Sequence, residues 1–217
     1  MDSEKIFNAL NQIKISIDQH KDEIEKLDQE IGDGDHIFNI QRGIKESLDL
    51  KDELSNKAPN DVLKQIGMKI MTTVGGSSGA LFATLLMGMS KKYNEDLSDQ
   101  QNIAKMFSEG VEAMKKRGKA DIGEKTMLDV LIPVSNELNK LSNQNDKKNI
   151  AEKIKDIAEK GMLSTKYLIA TKGRASFLGE RAKGHIDPGA RSSQLAIEAI
   201  CNTILENKWG ENEKIRK

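Results

Sequence analysis

Apolar side chains recur along this chain at helical intervals, and the two-residue alternation of a half-buried strand is sustained nowhere. Ile6, Leu10, Ile13, Ile17, Ile24, Leu27 and Ile31 step by three, four or seven residues, which keeps one apolar stripe on a long first helix whose other face is charged. Ile150, Ile154, Ile157, Gly161 and Leu168 repeat the pattern. Prolines are confined to Pro59, Pro133 and Pro188, aromatics make up 4% of the residues, and Lys, Glu, Leu, Ile and Met are abundant, a composition that leans to helix. The expected fold class is therefore all-α. Punctuation divides the chain into eight helices: 3–28, 36–54, 60–73, 76–92, 98–116, 124–142, 147–170 and 189–207. Asn60 and Asp61 after Pro59, Ser98 after Leu97, and Asp187-Pro188-Gly189 serve as starts or stops. Pro133 is expected to kink its helix. Short connections place successive helices antiparallel, so an eight-helix up-and-down bundle or barrel is the natural architecture. The exception is the polar, basic, glycine-rich stretch from Thr171 to Asp187, too long for a tight turn and of a length that is often functional.

A chain of 217 residues buries a sizeable core in one domain, read here as 1–217. Lys plus Arg (34) cancels Asp plus Glu (34), so no global field would recruit nucleic acid or an anionic membrane surface, and binding must come from a local site. Met1-Asp2-Ser3-Glu4-Lys5 lacks a basic segment followed by an apolar core, and no apolar run approaches the roughly 20 residues of a membrane span, so a cytoplasmic protein is expected. Cys201, the single cysteine, excludes an internal disulfide and a cysteine-rich metal site and reads as a small buried hydrophobe.

The chemistry concentrates in Leu27-Asp28-Gln29-Glu30-Ile31-Gly32-Asp33-Gly34-Asp35-His36, where Asp28, Asp33 and Asp35 crowd a glycine-rich helix junction. Two unit charges about 4 Å apart repel by roughly 4 kcal/mol at an effective dielectric near 20, so converging carboxylates make sense around a cation. Oxygen-only ligands favour magnesium or calcium. Asp28 would end one helix, with Asp33 and Asp35 in the turn that opens the next, and Gly32 and Gly34 would let that turn close with positive φ. The N–H groups of residues 36 to 39 would then face outward at a helix N-terminus, a position suited to phosphate. Magnesium commonly joins one or two carboxylates to substrate phosphates, which makes a magnesium-nucleotide site the working reading. An ordinary polar turn with Asp28 on a solvated helix end accounts for the same residues. An EF-hand fits poorly, because the third ligand, glycine and distal glutamate of that loop are missing.

Three further clusters follow. Thr72-Thr73-Val74-Gly75-Gly76-Ser77-Ser78-Gly79-Ala80-Leu81 is a glycine-rich turn running into a helix. It is no Walker A loop, and close helix packing explains its glycines as readily as phosphate binding does. Arg117-Gly118-Lys119-Ala120-Asp121-Ile122-Gly123-Glu124-Lys125-Thr126-Met127-Leu128-Asp129 offers Met127 either as apolar contact to a purine or as core. Gly173-Arg174-Ala175-Ser176, Leu178-Gly179-Glu180-Arg181 and Gly184-His185-Ile186-Asp187-Pro188-Gly189-Ala190 offer a guanidinium for phosphate and a rigid turn that could cap a base or ribose.

In this order and at these intervals the four clusters resemble the L subunit of dihydroxyacetone kinase, the nucleotide-binding component of the phosphotransferase-dependent enzyme, over nearly the full chain. The resemblance implies an eight-helix barrel whose loops at one end hold ADP, or ATP, and two magnesium ions. It places metal ligands at Asp28, Asp33 and Asp35. Nucleotide contacts fall on His36, Ile37, Phe38 and Asn39, on Ser77 and Ser78, on Gly118 and Met127, on Arg174, and on Asp187, Pro188 and Gly189, and Arg174 joins the three aspartates in the catalytic set. The implied partners are a phosphohistidine-bearing M subunit that gives phosphate to bound ADP and a K subunit that holds dihydroxyacetone. A homodimer is compatible with it. The alternatives are a subunit that exchanges free ATP and serves another triose or polyol, and a nucleotide-loaded regulator without turnover.

Many members of that family carry glycine directly after the Asp-His pair, where this chain has Ile37 and then Phe38. The expectation is that these two bulky residues reshape the loop or narrow the approach to the terminal phosphate, which would favour the regulator. His36 reads as a phosphate or ribose contact, with a helix-start histidine bonding the backbone as the other reading. His185 is expected to hold the Asp187-Pro188 turn, and His20 to lie on the surface.

Overall fold

The computed structural model describes residues 1–206 and holds no strand among them. Its α-helices are α1 (Ser3–Gln19), α2 (Lys21–Ile31), α3 (His36–Leu48), α4 (Lys51–Leu54), α5 (Pro59–Thr73), α6 (Gly76–Met89), α7 (Asp99–Gly118), α8 (Leu128–Leu141), α9 (Lys147–Ser164) and α10 (Pro188–Leu205). Short 3-10 segments span Ser90–Lys92, Thr165–Tyr167 and Arg174–Ala182. The described residues thus form ten α-helices where periodicity predicts eight.

The differences have local causes. The first predicted helix divides at His20, whose backbone leaves the helical region (φ −107, ψ 17) while its ring Nδ1 donates to the Ser16 carbonyl at 2.8 Å. The apolar stripe survives the break, because Ile17, Ile24 and Ile31 are all buried. The second divides at Asp49-Leu50 into α3 and the single turn α4. α8 opens at Leu128 and not at 124, since the Asp129 carboxylate accepts the amides of Gly123 (2.5 Å) and Thr126 (2.7 Å) and Lys125 turns away with φ +60. α9 stops at Ser164 and tightens into a 3-10 turn, and the stretch read as a loop from Thr171 to Asp187 contains the 3-10 segment Arg174–Ala182. α10 starts one residue before its predicted start, at Pro188, and residue 207 lies outside the described residues.

Helix starts follow capping chemistry. Asp2 accepts from Lys5 N–H, Ser98 and Gln101 close a reciprocal capping box, Asp146 accepts from Asn149, and Asp187 caps α10 with Pro188 in its first turn. α8 runs on through Pro133, which leaves the Asp129 carbonyl without its helical donor. Gly161 of α9 packs there, so close that a Cβ would lie 2.4 Å from that oxygen.

Packing proceeds in sequence: α1 lies on α3, α3 on α5, α5 on α6, α6 on α7, α7 on α8, α8 on α9, α9 on α10, and α10 returns to α1. The α6–α7 seam is close because a glycine from each helix faces it. A Cβ on Gly88 would sit 2.9 Å from Gly110 Cα, and one on Gly110 would sit 2.6 Å from the Leu85 carbonyl. The largest apolar cluster joins α7, α8, α9 and α10 through Val111, Met114, Leu131, Val134, Ile154 and Ile197. A second joins α1, α5 and α6, and a third gathers Ile17, Ile24, Ile37, Ile44 and Leu195 under the start of α3. Each such fully buried Ile, Leu or Met contributes about 1.5–3 kcal/mol. Cys201 belongs to the first cluster, and burial pushes its thiol up to about 12, as expected of a small hydrophobe. Among the described residues no helix is long and apolar enough to cross a membrane.

Candidate functional site

The starts of α3, α6 and α10 converge. α2 ends in Asp28 and Ile31, and the chain turns through Gly32-Asp33-Gly34-Asp35 into α3. One oxygen from each of Asp28, Asp33 and Asp35 lies within 4.8 Å of the others, Asp28 buried and the other two exposed. Asp28 Oδ2 accepts the His36 amide at 2.9 Å, so the carboxylate is aimed before any ligand arrives. Gly34 takes φ +78, as the sequence requires, but Gly32 does not have positive φ (−121). It is glycine for another reason: a Cβ would lie 1.8 Å from Asp28 Oδ1. Asp35 occupies the N-cap of α3 and makes no side-chain cap bond, which leaves its carboxylate available to the cluster.

Two of the four α3 amides expected to face a ligand are already used. His36 N–H goes to Asp28, and Asn39 N–H goes to the Asp35 carbonyl at 3.0 Å, so Ile37 and Phe38 supply the open first-turn amides. The Ile37 side chain is 0% exposed and packs with Ile17, Ile24 and Leu195. It therefore does not narrow the approach to a phosphate, contrary to expectation. Phe38 does face solvent, 53% exposed, with Lys21 Nζ 5.8 Å from its ring centre.

The second glycine turn meets the first. Gly76 has φ +74 and stands against Asn39 and Asp35: a Cβ there would be 2.7 Å from Asn39 Nδ2 and 3.4 Å from Asp35 Oδ2. Asn39 Nδ2 is buried and bonds nothing among the described residues. An orphaned donor of this kind costs about 1–3 kcal/mol, and an anionic oxygen held between Asn39 and the glycines would satisfy it. The start of α6 has no side-chain cap either; Ser77 is exposed and Ser78 buried in its first turn. Carboxylates, an unused amide donor, a glycine cradle and two uncapped helix starts are a donor set that fits a magnesium-bound diphosphate.

The remaining clusters close the site. Arg174 Nε lies 2.7 Å from Asp33 Oδ2, which brings a guanidinium to the acidic turn. Gly118 at the end of α7 abuts Leu81 of α6. Met127 is buried and touches the turn at the start of α10, for a Cβ on Gly189 would be 3.2 Å from Met127 Cε. Asp187 Oδ2 accepts the Ala190 amide at 2.7 Å, while enclosure of its carboxyl pushes the pKa up to about 7. His36 faces inward: Nε2 donates to Ser192 Oγ at 3.0 Å, and that hydroxyl donates to the Gly189 carbonyl at 3.1 Å. Burial lowers the His36 pKa against the pull of Asp28, so the ring stays neutral and ties the acidic turn to α10. His185 Nδ1 pairs with Glu30 Oε2 at 2.8 Å.

Sequence reading missed Ser192, Thr165 and Lys125 as parts of this construction. Ser192 and Thr165 carry no motif. Lys125 stands inside a quoted motif, but nothing in its neighbours announces a buried ammonium.

Residues 30–202 match the DAK2 domain family. The chain is 41% identical over 197 residues to the PEP-dependent dihydroxyacetone kinase 1, ADP-binding subunit DhaL, of Listeria innocua, covering 89% of this chain and 93% of that protein. It is 38% identical to the corresponding ADP-binding subunit DhaL of Escherichia coli, covering 83% and 87%. Its fold is similar to the crystal structure of the dihydroxyacetone kinase from C. freundii in complex with AMP-PNP and Mg2+, at a TM-score of 0.71 and 22% identity. That match takes in 91% of this chain and 33% of the longer one.

Proposed function

The chain belongs to the DAK2 domain family, and on that premise we propose that it is the ADP-binding, phosphoryl-transferring subunit of a phosphotransferase-type dihydroxyacetone kinase. The observation that carries the reading is the meeting of Asp28, Asp33 and Asp35 with the unpartnered Asn39 amide and the Gly76 turn, in a chain that nearly spans relatives named for ADP binding. The cyclic packing order from α1 through α10 and back to α1 supports an eight-helix barrel built on α1, α3 and α5 to α10, with α2 and α4 as additions. The whole chain is then one nucleotide-binding domain.

Asp28, Asp33 and Asp35 would hold two magnesium ions, and the amides of Ile37 and Phe38, Asn39 Nδ2 and the first turn of α6 with Ser77 and Ser78 would take the phosphate oxygens. Bound there, magnesium-ADP supplies neutralised charge and an acceptor oxygen for a phosphoryl group. Arg174, next to Asp33, offsets charge as that group moves. Met127, Gly118 and the Asp187-Pro188-Gly189 turn form the nucleoside end, and neutral His36 holds that turn in register with the acidic one. Dihydroxyacetone would arrive on a K subunit, and the phosphate from the phosphohistidine of an M subunit. The burial of Ile37 removes one of the two features that would fit a non-catalytic regulator.

The test is reconstitution with a K subunit and dihydroxyacetone, supplying either a phosphohistidine donor or ATP. Product from the phosphohistidine donor and none from ATP supports the reading. Product from ATP alone makes the chain an exchanging kinase subunit, and none from either ends the proposal.

A further inference from the structure

Lys125 is 1% exposed and the largest fully buried side chain among the described residues, on a backbone held at φ +60. Both features are costly. A left-handed non-glycine residue is strained, and a buried ammonium is tolerated only when hydrogen bonds replace its water. Burial accordingly lowers its pKa, opposed by the charges of Asp187 and Asp129. The compensating bonds run to two main-chain oxygens, the Thr165 and His185 carbonyls, each 2.5 Å from Nζ. Around them the same two strands of chain are tied twice more. Gly184 N–H donates to the Lys166 carbonyl at 2.8 Å, and Asp187 N–H donates to Thr165 Oγ1 at 3.1 Å. Met127, two residues beyond Lys125, touches Gly189. One side chain therefore fastens the loop that bears Met127 to the turn Asp187-Pro188-Gly189, while its hydrogen bonds include none to the Asp28-Asp33-Asp35 turn, Asn39 or Gly76.

We propose that Lys125 is a positioning residue for the nucleoside end of the site: by bridging the Thr165 and His185 carbonyls it sets the gap between Met127 and the Asp187–Gly189 turn, and with it the preference for a nucleoside diphosphate over bare pyrophosphate. The inference rests on the ADP-binding reading above. It assigns the metal-diphosphate end chiefly to α2, α3 and α6 and the spacing of the nucleoside end to Lys125 and Thr165, with the His36–Ser192 link joining the two.

Calorimetric titration of wild type, Lys125→Ala and Thr165→Val with magnesium-ADP and, separately, magnesium-pyrophosphate tests it. Lys125→Ala should weaken ADP about tenfold or more and leave pyrophosphate within about twofold. Added ethylammonium, which can enter the cavity left by the side chain, should restore part of the ADP affinity and none of the pyrophosphate affinity. Equal loss for both ligands, or unchanged ADP affinity, overturns the proposal. If circular dichroism shows that Lys125→Ala has lost its helix, Thr165→Val is read by the same criterion, since it removes the hydroxyl that accepts the Asp187 amide. Wild-type protein that binds pyrophosphate and ADP equally would overturn this inference alone, whereas wild type that binds neither would remove the ADP-binding reading and this inference with it.

Discussion

Arg174 Nε stands 2.7 Å from Asp33 Oδ2, so the segment Arg174–Ala182 is fastened to the acidic turn by the two residues that would handle metal and phosphate charge. Both side chains keep substantial solvent contact, 64% and 38%, and an ion pair of that exposure adds at most about 1 kcal/mol to stability. The pair is therefore a weak stabilising link, and in the proposed function its charges serve the ligand.

Arg174→Ala should leave the melting temperature nearly unchanged and slow phosphoryl transfer by on the order of a hundredfold, the usual consequence of deleting one fixed donor to developing charge. Asp33→Ala should likewise fold normally but lose both nucleotide retention and transfer. Melting curves and single-turnover transfer on the same preparations check both. A fully active Asp33→Ala protein would remove Asp33 from the metal site.

Gly32→Ala places a methyl 1.8 Å from Asp28 Oδ1 and must displace that carboxylate. Magnesium affinity, followed with manganese as a paramagnetic substitute, should fall far below wild type. Gly34→Ala meets nothing within 4 Å and carries only the strain of φ +78, about 1–2 kcal/mol of stability. Comparable metal binding by the two variants would contradict the geometry drawn for Asp28.

The enclosed, half-buried Asp187 carboxyl predicts a specific pH dependence. Its folded pKa, about 7, lies above the ordinary 3.8, so between those values the folded chain holds a proton that the unfolded chain has released. Stability from this group is complete below about pH 4, falls as pH rises toward 7, and is level above that. Asp187→Asn removes the falling limb while keeping an oxygen for the Ala190 amide. The two melting profiles should lie closest near pH 4, where both side chains are neutral, and separate steadily up to pH 7 as wild type loses stability relative to the variant. Taking the difference cancels His36, whose lowered pKa acts oppositely and weakens the fold as pH drops through the histidine range. A pH-independent difference would show that Asp187 titrates normally.

Ile37→Ala should cost about 2–5 kcal/mol of stability, because the side chain fills the cluster of Ile17, Ile24, Ile44 and Leu195. Phe38→Ala, half exposed, should cost far less. Neither substitution should raise the affinity for magnesium-ADP. Tighter binding by Ile37→Ala would mean that the isoleucine does crowd the ligand.

These residues also mark where sequence reading succeeds. The stripe from Ile6 to Ile31 dictates an all-helical chain, since period 3.6 is written in the spacing itself, and the caps at Ser98 and Asp187 are legible because a side chain bonds an amide three residues away. The break at His20 was not legible, for it depends on a ring reaching a carbonyl one turn back. The acidic turn and the Gly75-Gly76 turn were each visible as local chemistry. Their meeting was not, because it is made by Asn39 across α3 and α6. The inward turn of Ile37 is not legible, because position after His36 says nothing of which face of α3 packs against the core. Lys125 and Thr165 were hidden for the same reason: their partners are main-chain carbonyls and amides supplied by distant loops, and main chain has no sequence signature.

The most direct measurement is to purify the protein without added nucleotide, denature it, and identify what is released by chromatography together with its magnesium content. The account predicts ADP at one per chain with about two magnesium ions, the number that bridges a diphosphate in phosphoryl transfer. Protein that emerges without adenine nucleotide, and that then takes up neither magnesium-ADP nor magnesium-ATP at millimolar concentration, would contradict it.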